Sequence, residues 1–357
     1  MSKIRAGIIG TGGISHCHME GYKALSDRVE VVAVCDIDEE KVKAYAKQYD
    51  VARWYTDYNE MMEKETLDCV SVCTWNAAHK GATIAVLRGG ANVICEKPMA
   101  MNAEEAEEMR AAAKETGKLL QIGFVRRFGQ DADLIRKYCS DGLLGDLYYG
   151  KATYLRKDGC PGGWFGDKAY SGGGPLIDLG VHVIDLSRYL AGNPRPVSAY
   201  GVTFANIGCN RASGGETAWD GPQEKGGYEY NVEDFASALI RFENGFTLNV
   251  EASFNLNIDN DRGTVELFGT KAGVDATNCD LYTTAAGRYV KISPYGENGF
   301  DFASFKKEIA AFVDASEGKI PCRATAEDGT WLMKILDAIY ESARTGKSVE
   351  ITPIKEI

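Results

Sequence analysis

Short, unbroken apolar runs alternate with helical stretches through the first 125 residues, and that alternation leaves few folds open. The runs are Ala6–Gly10, Val31–Cys35, Cys69–Cys73, Asn92–Cys95 and Leu119–Gly123. A strand that is apolar at every position suits a sheet covered on both faces, as parallel sheets are. Between the runs, four stretches read as helices: one ending near Leu25, residues 38–49 behind Asp38 as N-cap, Ala77–Arg88 closed by Gly89-Gly90, and residues 102–116 closed by Gly117. Strand and helix repeated in this order predict an α/β fold with a doubly wound parallel sheet of Rossmann type.

After about residue 125 the pattern changes. A helix near 130–140 leads into longer strands with antiparallel character at 147–156, 197–205, 234–242, 246–254 and 263–268. Asn244-Gly245 between two of them is a hairpin signal. Helices near 302–316 and 325–345 close the chain. The expectation is a second α/β domain with a largely antiparallel open sheet. Residues 206–231 are polar and Gly-rich, with Gly214-Gly215 and Gly226-Gly227, and read as a long loop of the kind that is either functional or disordered. Residues 1–125 are expected to form one domain and 126–357 another, whose final helix is free to pack back on the first.

The balance of charge narrows the partners. With 40 Lys and Arg against 51 Asp and Glu, the net charge of −11 gives no counterion-release drive toward nucleic acid. No apolar run reaches membrane-spanning length, so no membrane partner is expected. The start, Met1-Ser2-Lys3-Ile4-Arg5, lacks the apolar core of a secretion signal. With ten scattered cysteines, several inside apolar runs, this points to free thiols and a cytoplasmic setting. His16, Cys17 and His18 are adjacent but lack chelate spacing, so no metal site is expected.

Three segments carry chemistry. The first is Gly10-Thr11-Gly12-Gly13-Ile14-Ser15, between a strand and a helix. Such a turn lets backbone N–H groups approach a pyrophosphate at a helix N-terminus, although Ser15 stands where a third glycine is usual. The next strand ends in Asp36, where a carboxylate accepts the hydroxyls of an adenosine ribose and repels a 2′-phosphate. NAD is therefore expected in preference to NADP. Thr74, Asn76 and His79 follow another strand end and join the expected cofactor contacts.

The second segment is Glu96-Lys97-Pro98, at the end of a buried strand where doubly wound sheets bind ligands. A partly desolvated lysine there has its pKa drawn toward a useful range; the plain alternative is a solvated lysine in an ordinary turn. The third is Ser171-Gly-Gly-Gly174-Pro175, followed by Asp178, His182 and Asp185. Asp178 and His182 are spaced to share a helix face. A carboxylate beside an imidazole after a Gly-rich loop suits proton transfer to and from a hydroxyl; the plain alternatives are a salt-bridged pair and half of a zinc site.

Together these segments resemble the Gfo/Idh/MocA family, that of glucose–fructose oxidoreductase and inositol dehydrogenase, over nearly the whole chain. Gly10–Ser15 and Asp36 resemble its cofactor motif, Glu96-Lys97-Pro98 its E-K-P signature, and Gly172–Gly174 with Asp178 and His182 its G-G-G…D…H segment. Gly123–Phe128 is similar to its domain-junction segment. The resemblance implies that Lys97, Asp178 and His182 are catalytic, acting on the substrate carbinol. It also implies cofactor contacts from Glu96 and Lys97, and a homodimer or homotetramer. Lys97, Arg126, Tyr154, Trp164, Asp178 and His182 are the expected substrate contacts, with Trp164 and Tyr170 either stacking on a sugar or packing within the protein. Two positions depart from the family pattern: Trp75 where Pro is usual and Val125 where Asn is frequent. The implied activity is NAD-dependent oxidation of a secondary hydroxyl of a sugar, a glycoside (at C3, for instance) or a cyclitol. The alternatives are NAD-assisted glycoside cleavage, keto-sugar reduction and a non-catalytic NAD-binding protein.

Overall fold

A computed structural model describes residues 2–208, 228–296 and 299–356. The chain forms two compact units, one of Met1–Val125, Phe302–Thr330 and Ile354–Ile357, the other of Arg126–Asp301 and Trp331–Pro353.

The first unit runs β1 (Ile4–Ile9), α1 (Gly13–Lys23), β2 (Val29–Cys35), α2 (Glu39–Tyr49), β3 (Arg53–Tyr55), α3 (Tyr58–Lys64), β4 (Cys69–Val72), α4 (His79–Arg88), β5 (Asn92–Glu96), α5 (Ala103–Thr116) and β6 (Leu120–Gly123). The sheet order is β3-β2-β1-β4-β5-β6, and every pairing is parallel. The apolar runs are the sheet centre: β4 is buried at every position, and β5 at all but its first. Asp38 caps α2 by accepting the Lys41 N–H at 3.0 Å, and Asn102 caps α5 through the Glu105 N–H. The edge strand β3 and helix α3 went unread in the sequence, because Arg-Trp-Tyr has no buried run to announce it. The helix Ala303–Ser316 lies in this unit, because Ile309, Phe312 and Val313 enter the same core as Met19 and Tyr22 of α1.

The order of strands reverses between β1 and β4, which is where ligands bind doubly wound sheets. Gly10–Ser15 follows β1 and Thr74–His79 follows β4, so both segments leave the sheet at that point.

The second unit contains α6 (Gln130–Ser140), β7 (Leu147–Leu155), α7 (Lys168–Ser171), a π-helical turn (Leu176–Gly180), α8 (Val181–Leu190), β8 (Pro196–Phe204), β9 (Phe235–Phe242), β10 (Thr247–Ser253), β11 (Arg262–Gly269), β12 (Ala272–Asp275), β13 (Asp280–Ala285), β14 (Arg288–Ile292) and β15 (Val349–Glu350). The helix Ala303–Ser316 is α9, and Ala326–Thr345 is α10. The sheet order is β14-β13-β12-β11-β7-β10-β9-β8-β15. Only β7 and β10 pair in parallel. β9 and β10 form the hairpin expected at Asn244-Gly245, where Gly245 takes φ +86°. The π turn and α8 pack on β7, β10 and β11. Part of the polar 206–231 stretch, including its paired glycines, lies outside the described residues.

Candidate functional site

The glycine turn shows whether a dinucleotide fits. Gly10 has φ +86°, and a Cβ there would lie 2.5 Å from the Cys73 carbonyl oxygen, so β1 and β4 approach closely only with glycine at this place. A Cβ on Gly12 would meet nothing within 4 Å, so the far side of the turn is open. α1 begins at Gly13 without a side-chain cap and without an acidic residue in its first turn. Its first N–H groups and the positive end of its dipole are thus left for an anion. Ser15 tolerates the third glycine's place because it is wholly buried and returns its hydroxyl to the Gly12 carbonyl at 2.6 Å.

Asp36 lies just past β2. Its Oδ2 accepts the Thr11 N–H at 2.7 Å and the Thr11 hydroxyl at 2.8 Å, and its Oδ1 accepts the Asp38 N–H at 3.1 Å. Beside it Ile37 is 70% exposed, an apolar residue in a polar turn that the sequence reading passed over. A carboxylate for a ribose and an apolar flank for a base make this end of the sheet fit an adenosine.

His79 is wholly buried, with Nδ1 2.7 Å from the Pro98 carbonyl and Nε2 3.1 Å from the Thr74 carbonyl. Both nitrogens therefore face backbone carbonyls rather than a ligand, and the neutral ring donates to one of them. Burial holds this imidazole below its ordinary pKa, outweighing the two carbonyls that favour its protonated form. Asn76 is buried and opens a short 3-10 turn. Trp75 takes φ −71°, close to the angle a proline fixes, so the departure from Pro costs the backbone little. Val125 is buried in its own unit, 4% exposed.

Glu96 is also held from within. His18, which begins no strand and matches no motif, places Nε2 2.9 Å from Glu96 Oε1 and Nδ1 3.0 Å from the Ser71 hydroxyl. Tyr22 reaches the same Ser71 oxygen at 2.9 Å, and Glu96 Oε2 accepts the Lys97 N–H at 3.1 Å. Burial alone would raise the Glu96 pKa, but His18 and Lys97 together outweigh it and hold the carboxyl below its ordinary value. The chain of contacts joins the helix after the glycine turn to the turn that bears Lys97. From Val93 to Ala100, Lys97 is the only side chain not buried. His16 is engaged elsewhere, with Nδ1 2.6 Å from the Tyr49 hydroxyl.

In the second unit, Asp178 lies in the π turn rather than in a regular α-helix, and His182 opens α8. Single π turns occur often at functional sites. Asp178 is 8% exposed. From Gly173 to Arg188, His182 is the only residue not buried, in a segment otherwise committed to the core. Tyr154 is near it, ring centres 6.4 Å apart, and Arg156 stands over the Tyr154 ring. Asp185 is buried in a bidentate ion pair with Arg127. Arg126 is held by Asp131 at 3.3 Å and over the Phe300 ring. Trp164 stacks on Phe165 at 3.9 Å, and Tyr170 meets Tyr228 edge to face. Among the described residues no group of three or more His, Cys, Asp and Glu is placed to hold a metal ion, and no helix is long and apolar enough to cross a membrane.

Comparison with known proteins shows the family and the fold. Residues 4–124 match the model of the oxidoreductase family with an NAD-binding Rossmann fold, and residues 133–275 match the GFO/IDH/MocA C-terminal domain. The chain is 35% identical over 352 residues to D-glucoside 3-dehydrogenase of Escherichia coli, covering 98% of each. It is 24% identical to myo-inositol 2-dehydrogenase of Thermotoga maritima over 98% of this chain and 99% of that one. Among solved structures, levoglucosan dehydrogenase in complex with NADH and levoglucosan superposes with a TM-score of 0.84 at 25% identity, covering 99% of this chain and 100% of that one.

Proposed function

Because this chain belongs to the Gfo/Idh/MocA oxidoreductase family, with an NAD-binding Rossmann domain at its N-terminus, we propose that it oxidises a secondary ring hydroxyl of a glucoside-type pyranoside. The full-length likeness to a D-glucoside 3-dehydrogenase favours the C3 hydroxyl. When bound, NAD supplies the hydride acceptor. The residues that would hold it are Gly10–Ser15 at the pyrophosphate and Asp36 at the ribose, with Thr74 and Asn76 after β4.

The observation that carries the chemistry is the isolation of His182, the one residue to reach solvent from a long buried run. An imidazole placed so takes the hydroxyl proton as general base. Asp178, four residues earlier, orients the imidazole. Lys97, isolated in the same way in its own turn, is assigned the negative charge that develops on the substrate oxygen. Tyr154, Trp164 and Arg126 are assigned the sugar contacts.

His182→Ala and Lys97→Ala are each expected to lower kcat with a glucoside by roughly 10²–10⁴-fold, the worth of a positioned proton acceptor or charge donor, with NADH still bound in a fluorescence titration. Parental turnover in both variants contradicts the assignment of roles.

A further inference from the structure

The segment that carries Asp178 and His182 is held at its start by a carboxylate from far along the chain. Glu233 lies two residues before β9 and is 9% exposed. Its Oε2 accepts the Gly174 N–H at 2.9 Å, and its Oε1 accepts the Leu176 N–H at 3.2 Å and the Tyr340 hydroxyl at 2.9 Å. These amides open the π turn, and Pro175 at its cap offers no side-chain hydrogen bond. The first N–H groups of a helix find no partner within it, and a negative charge at that end also meets the positive end of the dipole. Glu233 meets both needs from outside.

The glycines of the segment make room for this clamp. A Cβ on Gly173 would lie 2.1 Å from the Tyr340 hydroxyl oxygen, and one on Gly174 would lie 2.3 Å from the Glu233 carbonyl oxygen. The three groups bonded to the Glu233 carboxyl are all donors, so it serves here as a carboxylate acceptor, although burial pushes its pKa up. Lys168 stands 6.0 Å over the Tyr340 ring and completes the cluster.

We propose that Glu233 and Tyr340 are positioning residues for the Asp178–His182 pair: they fix the entry of the π turn and so the direction in which the two side chains leave it. The proposal rests on the assignment of proton transfer to His182 made above. A turn of about 100° accompanies each residue of register in a helix, so a loosened entry misdirects both groups together.

The test uses the full-length protein as Glu233→Gln, Tyr340→Phe and His182→Ala. The Gln variant keeps the shape but turns an NH2 group toward one of the two backbone donors, while the Phe variant removes only the hydroxyl. In Glu233→Gln, kcat with a glucoside should fall by roughly 10²-fold, the cost of misplacing a catalytic group by about 1 Å. KM should change less, and NADH affinity by fluorescence should stay at the parental value. Amide exchange should quicken at Gly174 and Leu176. Tyr340→Phe should show the same split at smaller size. Parental kcat in Glu233→Gln, or a loss of kcat matched by a loss of NADH affinity, overturns the proposal. If Glu233→Gln does not fold, Tyr340→Phe decides: lowered kcat at parental NADH affinity supports the clamp, and parental kcat rejects it. Full turnover in His182→Ala refutes the underlying assignment of roles, whereas an inactive His182→Ala beside a fully active Glu233→Gln refutes the clamp alone.

Discussion

Asp36 spends most of its carboxylate on its own chain, since two N–H groups and one hydroxyl reach it before any ligand does. A carboxylate has about four lone-pair sites, so the capacity left for a ribose is small and well directed. Lys41, with Nζ 3.9 Å from Oδ2, is the nearest cation. Removing this group should weaken NADH more than NADPH. For Asp36→Ala, the ratio of NADPH to NADH dissociation constants from fluorescence titration should fall by roughly tenfold to a hundredfold, the worth of a hydrogen bond to a charged group. An unchanged ratio means that Asp36 is not the selector. Asp36 and Gly10 were legible in the sequence because their spacing is local and their conformations demand particular residue types. His18 was not: its partners Ser71 and Glu96 are 53 and 78 residues away, and nothing beside His18 in the chain distinguishes it from its neighbour His16. Glu233 escaped for the same reason, with Gly174 and Tyr340 distant by 59 and 107 residues.

Elements announced themselves in proportion to how much apolar surface they bury. The five apolar runs and the long helices read correctly, whereas β3 and β14 are short, edge-lying and largely exposed, and β12 and β13 bury too few residues to leave a pattern. The π turn was hidden differently, because Leu176–Leu190 has the apolar content of a plain helix and only the structure shows the wider first turn. At the strand ends, His79 ties the segment after β4 to the turn after β5 through its Nδ1 contact with the Pro98 carbonyl at 2.7 Å. Its pKa is lowered in the folded state by burial, so its contribution to stability is complete above the ordinary imidazole value of about 6.5 and is lost as pH falls through that range. One such group contributes at most about 1.4 kcal/mol per pH unit. Chemical denaturation at pH values either side of about 6 should show the parent losing more stability on acidification than His79→Asn, which keeps a donor for the Pro98 carbonyl. Equal losses would contradict this account of the strand-end tie.

At the scale of the whole molecule, Lys97 in the first unit and His182 in the second each reach solvent from an otherwise buried run. A titratable side chain that reaches solvent from such a run is placed for chemistry rather than for packing. The fold, the cofactor class and the family were within reach of the sequence, because they follow from periodicity and local motifs. The supports behind the motifs were not, because they depend on contacts that only the folded chain creates. The central claim is net oxidation of a ring hydroxyl at the expense of NAD, and its sharpest test is stoichiometry. The purified protein is incubated with NAD and an alkyl glucoside, NADH is followed by absorbance, and the sugar product is identified by mass spectrometry. The account predicts one NADH for each glucoside that has lost two hydrogens, with the glycosidic bond intact. A cleaved glycoside formed without accumulation of NADH would contradict it.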